Sequence, residues 1–213
     1  MSKKILVLEK NTWLQAYHIR NFELGILQDK IPWINEKYIN CYYKPACGAL
    51  FDYCMPEQRY FEKSGVMLVQ KFRFKKSIYQ LDIFDFLKWA KDLLSGGWYI
   101  MGYFDEYYIP EKRSYKRRHF RHSMLIYGYD DEPQLFYAMG YTSDRKYRSH
   151  CLTYDEFLSS IMVDFDRETE MYVKGGIERI EFDAFKLNPG YDFTFDLCRF
   201  YTSLLDYINC EDS

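Results

Sequence analysis

Several things this chain lacks narrow what it can be. Neither sign of charge is in excess: 29 Lys and Arg stand against 31 Asp and Glu, a formal net charge of −2. That balance calls for neither a polyanion nor an anionic bilayer, so nucleic acid and membrane are not expected partners. Apolar runs are short. The opening MSKKILVLEK sets an apolar run of only four residues behind Lys3 and Lys4, too short for a signal-peptide core, and no segment reaches the apolar length of a bilayer span. A cytoplasmic protein is expected. Internal repeats, low-complexity tracts and Pro/Gly/Ser linkers are missing too, so the expectation is a single domain over residues 1–213, long enough to bury a core without a partner. The six cysteines (Cys41, Cys47, Cys54, Cys151, Cys198, Cys210) show no paired metal spacing, and neither a metal nor a resident cofactor is expected. Without an export signal the thiols are expected to be reduced, which leaves them available for chemistry.

Aromatic rings are plentiful: 20% of residues, with 22 Tyr and 17 Phe. They fit either a compositional bias that fills core and surface alike or a binding groove whose faces stack and whose hydroxyls bond. Residues 5–8 form a short apolar run, and 13–27 suit a helix. A helix over the second half of WINEKYINCYYKPACGALFDYCMP would stop at Pro56. Residues 66–74 have strand character, and 81–94 carry helical spacing closed by Gly96 and Gly97. From there the pattern turns β-rich. Residues 98–108, 121–127 and 135–141 read as an antiparallel meander, joined by a basic loop and by the turn-forming YGYDDEPQ. Thr153 and Glu156 match a capping box opening a helix. Residues 171–174 and 177–182 read as short strands and 193–208 as a last helix. Helices followed by an antiparallel sheet is an α+β order.

With only four histidines in the chain, two stand three residues apart in HFRHSMLIYGYDD, at the mouth of an apolar strand that needs no imidazole for packing. A hairpin centred near Arg113 and Ser114 places Asp105 opposite His122, the arrangement by which a carboxylate orients a general base and stabilises its cation. His119 falls on the other face of a regular strand. For the nucleophile there are two candidates. Cys41 follows Asn40, a good N-cap type, and a thiol in a first helical turn is acidified by the exposed N–H groups. Pro45 conflicts with a helix starting at Cys41. If Pro45 is itself the first helical residue, Cys47 takes the first turn instead. Each feature also has a plain structural reading: buried cysteines as small core residues, and the basic run 112–121 (KRSYKRRHFR) as a solvated face. A zinc site from His119, His122, His150 and Cys151 lacks a known ligand spacing.

The block HSMLIYGYDDEPQLFYAMGY resembles the histidine segment of papain-like peptidases of the bacteriocin-processing C39 type, with His122 followed by Gly128, Tyr129 and Asp130. The similarity is closer to the butirosin biosynthesis protein H N-terminal domain family. Cys41, the Asp105-Tyr107-Tyr108-Pro110 strand, His119, His122 and the Gly-Tyr-Asp turn match in order, over roughly residues 35–161. The resemblance implies a papain-like (C39-like) fold, N-terminal helices packed on an antiparallel sheet, with Cys41 as nucleophile and His122 as base. Two positions depart from it. Asn35 stands where the C39 type has an oxyanion-hole Gln, and Gly140 stands where it has the third catalytic Asp or Asn, which moves the orienting role to Asp105 or Asp144.

Within the butirosin-type family the implied reaction is acyl transfer: the cysteine accepts an acyl group from a carrier-protein thioester and a small amine resolves it as an amide. Related thiotemplated peptide (antibiotic) pathways use protease-like enzymes this way, including the amide-forming step of closthioamide assembly. The resemblance makes an acyl or peptidyl carrier protein the partner, its phosphopantetheine presenting the donor. Lys116, Arg117 and Arg118 are the expected carrier contact, and Tyr107, Tyr108 and His119 the expected substrate wall, apolar enough to shield an acyl-enzyme from water. The alternatives are a cysteine peptidase or amidase acting on a small peptide, and a non-catalytic binding protein on the same fold.

Overall fold

A computed structural model describes residues 2–10, 18–28, 65–75, 84–161, 179–192, 194 and 197–209. Asn35, Cys41, Cys47, Cys54, the helix expected before Pro56 and the strand expected over 171–174 lie outside the described residues. The described elements are β1 (Lys3–Ile5), α1 (His18–Leu27), β2 (Met67–Lys75), α2 (Phe86–Ser95), β3 (Tyr99–Asp105), a 3-10 turn (Glu106–Tyr108), β4 (Arg121–Asp130), β5 (Leu135–Tyr141), β6 (Tyr147–Thr153), α3 (Tyr154–Ile161), β7 (Arg179–Leu187) and α4 (Leu197–Asn209). Their order is α+β: a few helices and one seven-stranded sheet, β2-β7-β3-β4-β5-β6, with β1 added against β4. The chain divides into two compact units. One comprises residues 1–26 and 69–186, and the other residues 27–68 and 187–213. The second unit includes α4 and a contact in which Asn188 donates from its backbone N–H to the Val66 carbonyl and from Nδ2 to the Gly65 carbonyl.

β4 is the spine of the sheet. It is buried from Ser123 to Asp130, as expected of a strand covered on both faces. β5 lies along one edge. On the other edge β3 pairs with its first half, Ile100 to Asp105 against Ile126 to Arg121, and β1 takes over at Gly128 to Asp130. Tyr127 is the extra residue of a bulge in the β4–β5 register. Gly128 admits β1, since a Cβ there would stand 2.7 Å from the Lys4 carbonyl oxygen.

Along one face runs a row, Ala184, Ile100, Ile126, Ala138 and His150, contributed in turn by β7, β3, β4, β5 and β6. Against this face pack Phe86, Ala90 and Leu94 of α2 and Tyr154, Phe157 and Ile161 of α3, which with Phe104, Met124, Phe136, Leu152 and Phe182 form the core. The spacing on α2 is that of one buried stripe. The opposite face carries buried Leu125, Tyr127, Met139 and Tyr147, and Phe22 of α1 meets the Tyr147 ring.

The boundaries differ from the sequence reading for local reasons. α2 begins at Phe86, not residue 81, because Asp85 is its N-cap and accepts from the Lys88 N–H at 2.8 Å. The strand expected over 98–108 ends at Asp105, whose carboxylate accepts from the Tyr107 N–H and turns the chain into the 3-10 turn. β4 runs on to Asp130, so the turn falls at 131–134. α3 starts where the capping box puts it: Glu156 N–H donates to Thr153 Oγ1 at 3.1 Å and Thr153 N–H to Glu156 Oε2 at 2.8 Å. β6 was not expected. One of its inward positions, beside Leu152, is a histidine, which hides the apolar alternation on that face.

Candidate functional site

The β3–β4 hairpin sets two imidazoles against two carboxylates. Phe104 pairs with His122 and Asp105 with Arg121, and the register continues as Glu106 N–H donates to the Phe120 carbonyl at 2.9 Å. This is one residue off the register read from the sequence, and a one-residue slip changes which side chains share a face. Asp105 therefore does not oppose His122. Its Oδ2 lies 2.6 Å from Nδ1 of His119, while its Oδ1 accepts from the Tyr107 and Phe120 N–H groups at 3.1 and 3.0 Å. The Asp105 side chain is fully buried. His119 is stacked on Tyr107, with ring centroids 4.4 Å apart.

His122 is served by the next residue along. Its Nδ1 lies 3.0 Å from Oε1 of Glu106, a buried carboxylate at the start of the 3-10 turn. Burial alone would raise the Glu106 pKa. Hydrogen bonds from His122 and Ser114, with the nearby charge of Lys112, outweigh it and hold the carboxyl below its ordinary value. Glu106, and neither Asp105 nor Asp144, is the carboxylate bonded to His122. Asp144 instead closes the β5–β6 turn, accepting from Thr142 Oγ1 at 2.6 Å and pairing with Arg148 at 3.3 Å.

Lys112 was read as the first residue of an exposed basic run, yet it is only 3% exposed. Its Nζ donates to the Tyr141 carbonyl at 2.7 Å and faces the open side of Gly140, where a Cβ would stand 3.1 Å from it. Burial lowers its pKa to about 8, against the opposing pull of Glu106 and Glu111. The rest of the loop keeps an outward basic face: Arg113, Lys116, Arg117 and Arg118 are exposed. Lys116, in the left-handed region at φ 51°, holds its ammonium 5.0 Å from the Tyr107 ring centroid and 5.5 Å from that of Tyr108. Arg118 lies over Phe120. Burial raises the Tyr108 hydroxyl pKa, with Asp105 adding to the effect.

Beside this cluster His150 is buried on β6, Nδ1 near the Arg148 carbonyl at 3.3 Å and Nε2 against the Met124 sulfur at 3.2 Å. Burial, then the charge of Lys112, pushes its pKa down to about 3. Cys151 is exposed on the opposite face, its pKa raised by burial of the thiol and then by Glu111. Among the described residues no group of three or more His, Cys, Asp or Glu is placed to hold a metal ion, and no helix is long and apolar enough to cross a membrane.

The structure thus brings together Asp105, Tyr107, Tyr108 and His119 as one group and Glu106 and His122 as a second. Sequence reasoning missed Glu106 and gave Ser114, Lys112 and His150 other places: a hairpin tip, an exposed basic run and a zinc-ligand set without a known spacing. Glu106 was within reach, since the alternative hairpin register presents the acidic residue next to Asp105. Lys112 was hidden by the basic run around it. No protein-family model matches the chain, and a search of curated proteins finds no match either.

Proposed function

We propose that this chain is a cysteine acyltransferase of papain-like (C39-like) architecture that forms an amide bond by moving an acyl chain from a carrier-protein thioester to a small amine. The observation that carries the reading is the Glu106–His122 pair: a buried carboxylate held charged against Nδ1 leaves the other ring nitrogen to exchange protons with a thiol and an amine. In this reading Nε2 of His122 takes the proton of Cys41, and the thiolate attacks the thioester carbonyl. Collapse of the tetrahedral intermediate expels the phosphopantetheine thiolate, which recovers the proton from His122. The amine then attacks the acyl-enzyme, His122 accepts its proton, and the cysteine leaves and is reprotonated. The reading assigns the oxyanion contacts to backbone N–H groups and Asn35.

Asp105 serves in this scheme through His119, fixing that ring beside Tyr107 and Tyr108 as the substrate wall. Lys116, Arg117 and Arg118, all exposed, face the acidic carrier and its phosphate. The binding-only reading draws on Asn35 and Gly140 at two positions where the resemblance implies other residues, with the Lys112 ammonium, not a carboxylate, beside Gly140. Intact-protein mass spectrometry after incubation with aryl or aminoacyl thioesters separates the readings. An adduct lost in Cys41→Ala, slowed in His122→Ala and discharged by an amine is the transferase. Discharge by water alone is the peptidase or amidase. Loss only in Cys47→Ala reassigns the nucleophile, and no adduct with any thioester refutes the enzyme.

A further inference from the structure

The least expected group in the first unit is a lysine in a buried place. Lys112 is 3% exposed, and its ammonium is fixed from one side by the Tyr141 carbonyl at 2.7 Å. Gly140 leaves room for it: a Cβ there would come within 3.1 Å of Nζ, tighter than about nine in ten real Cβ contacts. Lys112 and Gly140 therefore fit as a pair. A buried cation survives only beside compensating charge or dipoles. The charge nearby is Glu106, with Glu111 on the same loop adding to it. Glu106 in turn bonds Ser114, itself 4% exposed, and His122 on β4. From β6 the cluster is faced by His150, neutral at ordinary pH, with Arg148 beyond it.

We propose that Lys112 is a positioning residue for the Glu106–His122 pair: its ammonium, seated in the space Gly140 leaves and anchored to the Tyr141 carbonyl, keeps Glu106 ionised against the imidazole. This rests on the reading of His122 as the base, but the chemistry is testable without turnover. Burial favours the protonated carboxyl, the bonds from His122 and Ser114 and the added charge of Lys112 oppose it, and Glu106–H would offer Nδ1 a neutral partner that no longer stabilises imidazolium. The cation also explains why a glycine suffices where a carboxylate is expected: the carboxylate arrives from the end of β3 and the β5 position is given over to its counter-charge.

The test is carbon-13 detection of the Glu106 carboxyl across pH in the full chain, assigned with Glu106→Gln. In the wild type the resonance is expected to titrate below the ordinary carboxylate range and to show a second inflection near pH 8, where Lys112 loses its proton. In Lys112→Met the second inflection disappears and the midpoint rises, the direction that loss of a nearby opposite charge gives. Lys112→Arg, which retains the charge, keeps the midpoint low. An unmoved midpoint in folded Lys112→Met overturns the proposal. If that variant does not fold, the wild type decides alone, because absence of an inflection near pH 8 overturns it equally. Acyl-enzyme formation gives the second readout: its acid limb moves to higher pH in Lys112→Met and is restored in Lys112→Arg. If the Glu106 titration responds but no thioester ever loads, the function proposed above fails and this inference stands. If thioester loads while Glu106 ignores Lys112, the reverse holds.

Discussion

His150 makes the protein acid-sensitive in a window that can be calculated. Its ring lies on the core face of β6, 7% exposed, with Nδ1 near a carbonyl and Nε2 against a thioether sulfur. A second ring proton would have only that sulfur, a weak acceptor, and the charge would sit near Lys112 and Arg148. The folded state therefore holds the pKa at about 3, while the unfolded chain titrates near the ordinary ~6.5. As pH falls below the unfolded value the unfolded state binds a proton that the folded state refuses, so stability is lost with acid. The slope is about 1.4 kcal/mol per pH unit, and by pH 5 the loss is about 2 kcal/mol. With a urea slope of about 2 kcal/mol per molar, the midpoint drops by about 1 M. Other groups titrate in this range as well, so the measurement is a difference: urea unfolding at pH 7 and about pH 5 for the wild type and for His150→Gln, which cannot titrate. The wild type should lose about 2 kcal/mol more than the variant. Parallel losses in the two proteins would refute the buried neutral imidazole.

Gly102→Ala should destabilise by about 2 kcal/mol in thermal or urea melts, because the added Cβ lands 2.5 Å from Cδ1 of Phe182 in a packed aromatic core. Thr153→Ala should cost about 1 kcal/mol by the same assay, since it removes the capping box that starts α3. Asp105→Asn leaves one of three donors poorly served at a fully buried site and should lower stability by about 2 kcal/mol. Glu106→Gln should change folding less but slow acyl-enzyme formation by about 100-fold, measured by mass spectrometry of thioester loading, because His122 loses the charge that supports its cation.

How much of this was legible in the sequence differs by element. The meander, the capping box and the Gly96-Gly97 stop were readable because each is a local signal: runs of aromatic and other β-forming residues between turn signals, an S/T-x-x-E spacing, and a glycine where the chain takes φ 82° at Gly97. The hairpin register was not. The loop between Asp105 and Arg121 is no two-residue turn with a fixed geometry. Its shape comes from contacts at a distance, such as Lys116 N–H to the Tyr107 carbonyl and Ser143 N–H to the Glu111 carbonyl. Neither pairing leaves a pattern in composition. Burial of Lys112 was unreadable for the same reason, since it depends on a glycine 28 residues away being open on the side the ammonium approaches.

The one-residue slip matters because adjacent carboxylates end up with different work. Asp105 is the last residue of β3 and the N-cap of the 3-10 turn; two of its three bonds are to backbone N–H groups, so its charge is committed to the chain reversal that leads into the loop. A side chain so engaged can fix His119 beside Tyr107 but cannot follow a ring that gains and loses a proton. The Glu106 carboxylate is engaged by side chains. It bonds two side chains, His122 and Ser114, and faces a third, Lys112, so a change of charge on the imidazole is answered within the cluster and not by the fold. On that difference His122 is the better placed of the two histidines for proton transfer. His119, with 38% of its side chain exposed against a fully buried partner, is the better placed to meet a ligand at the surface.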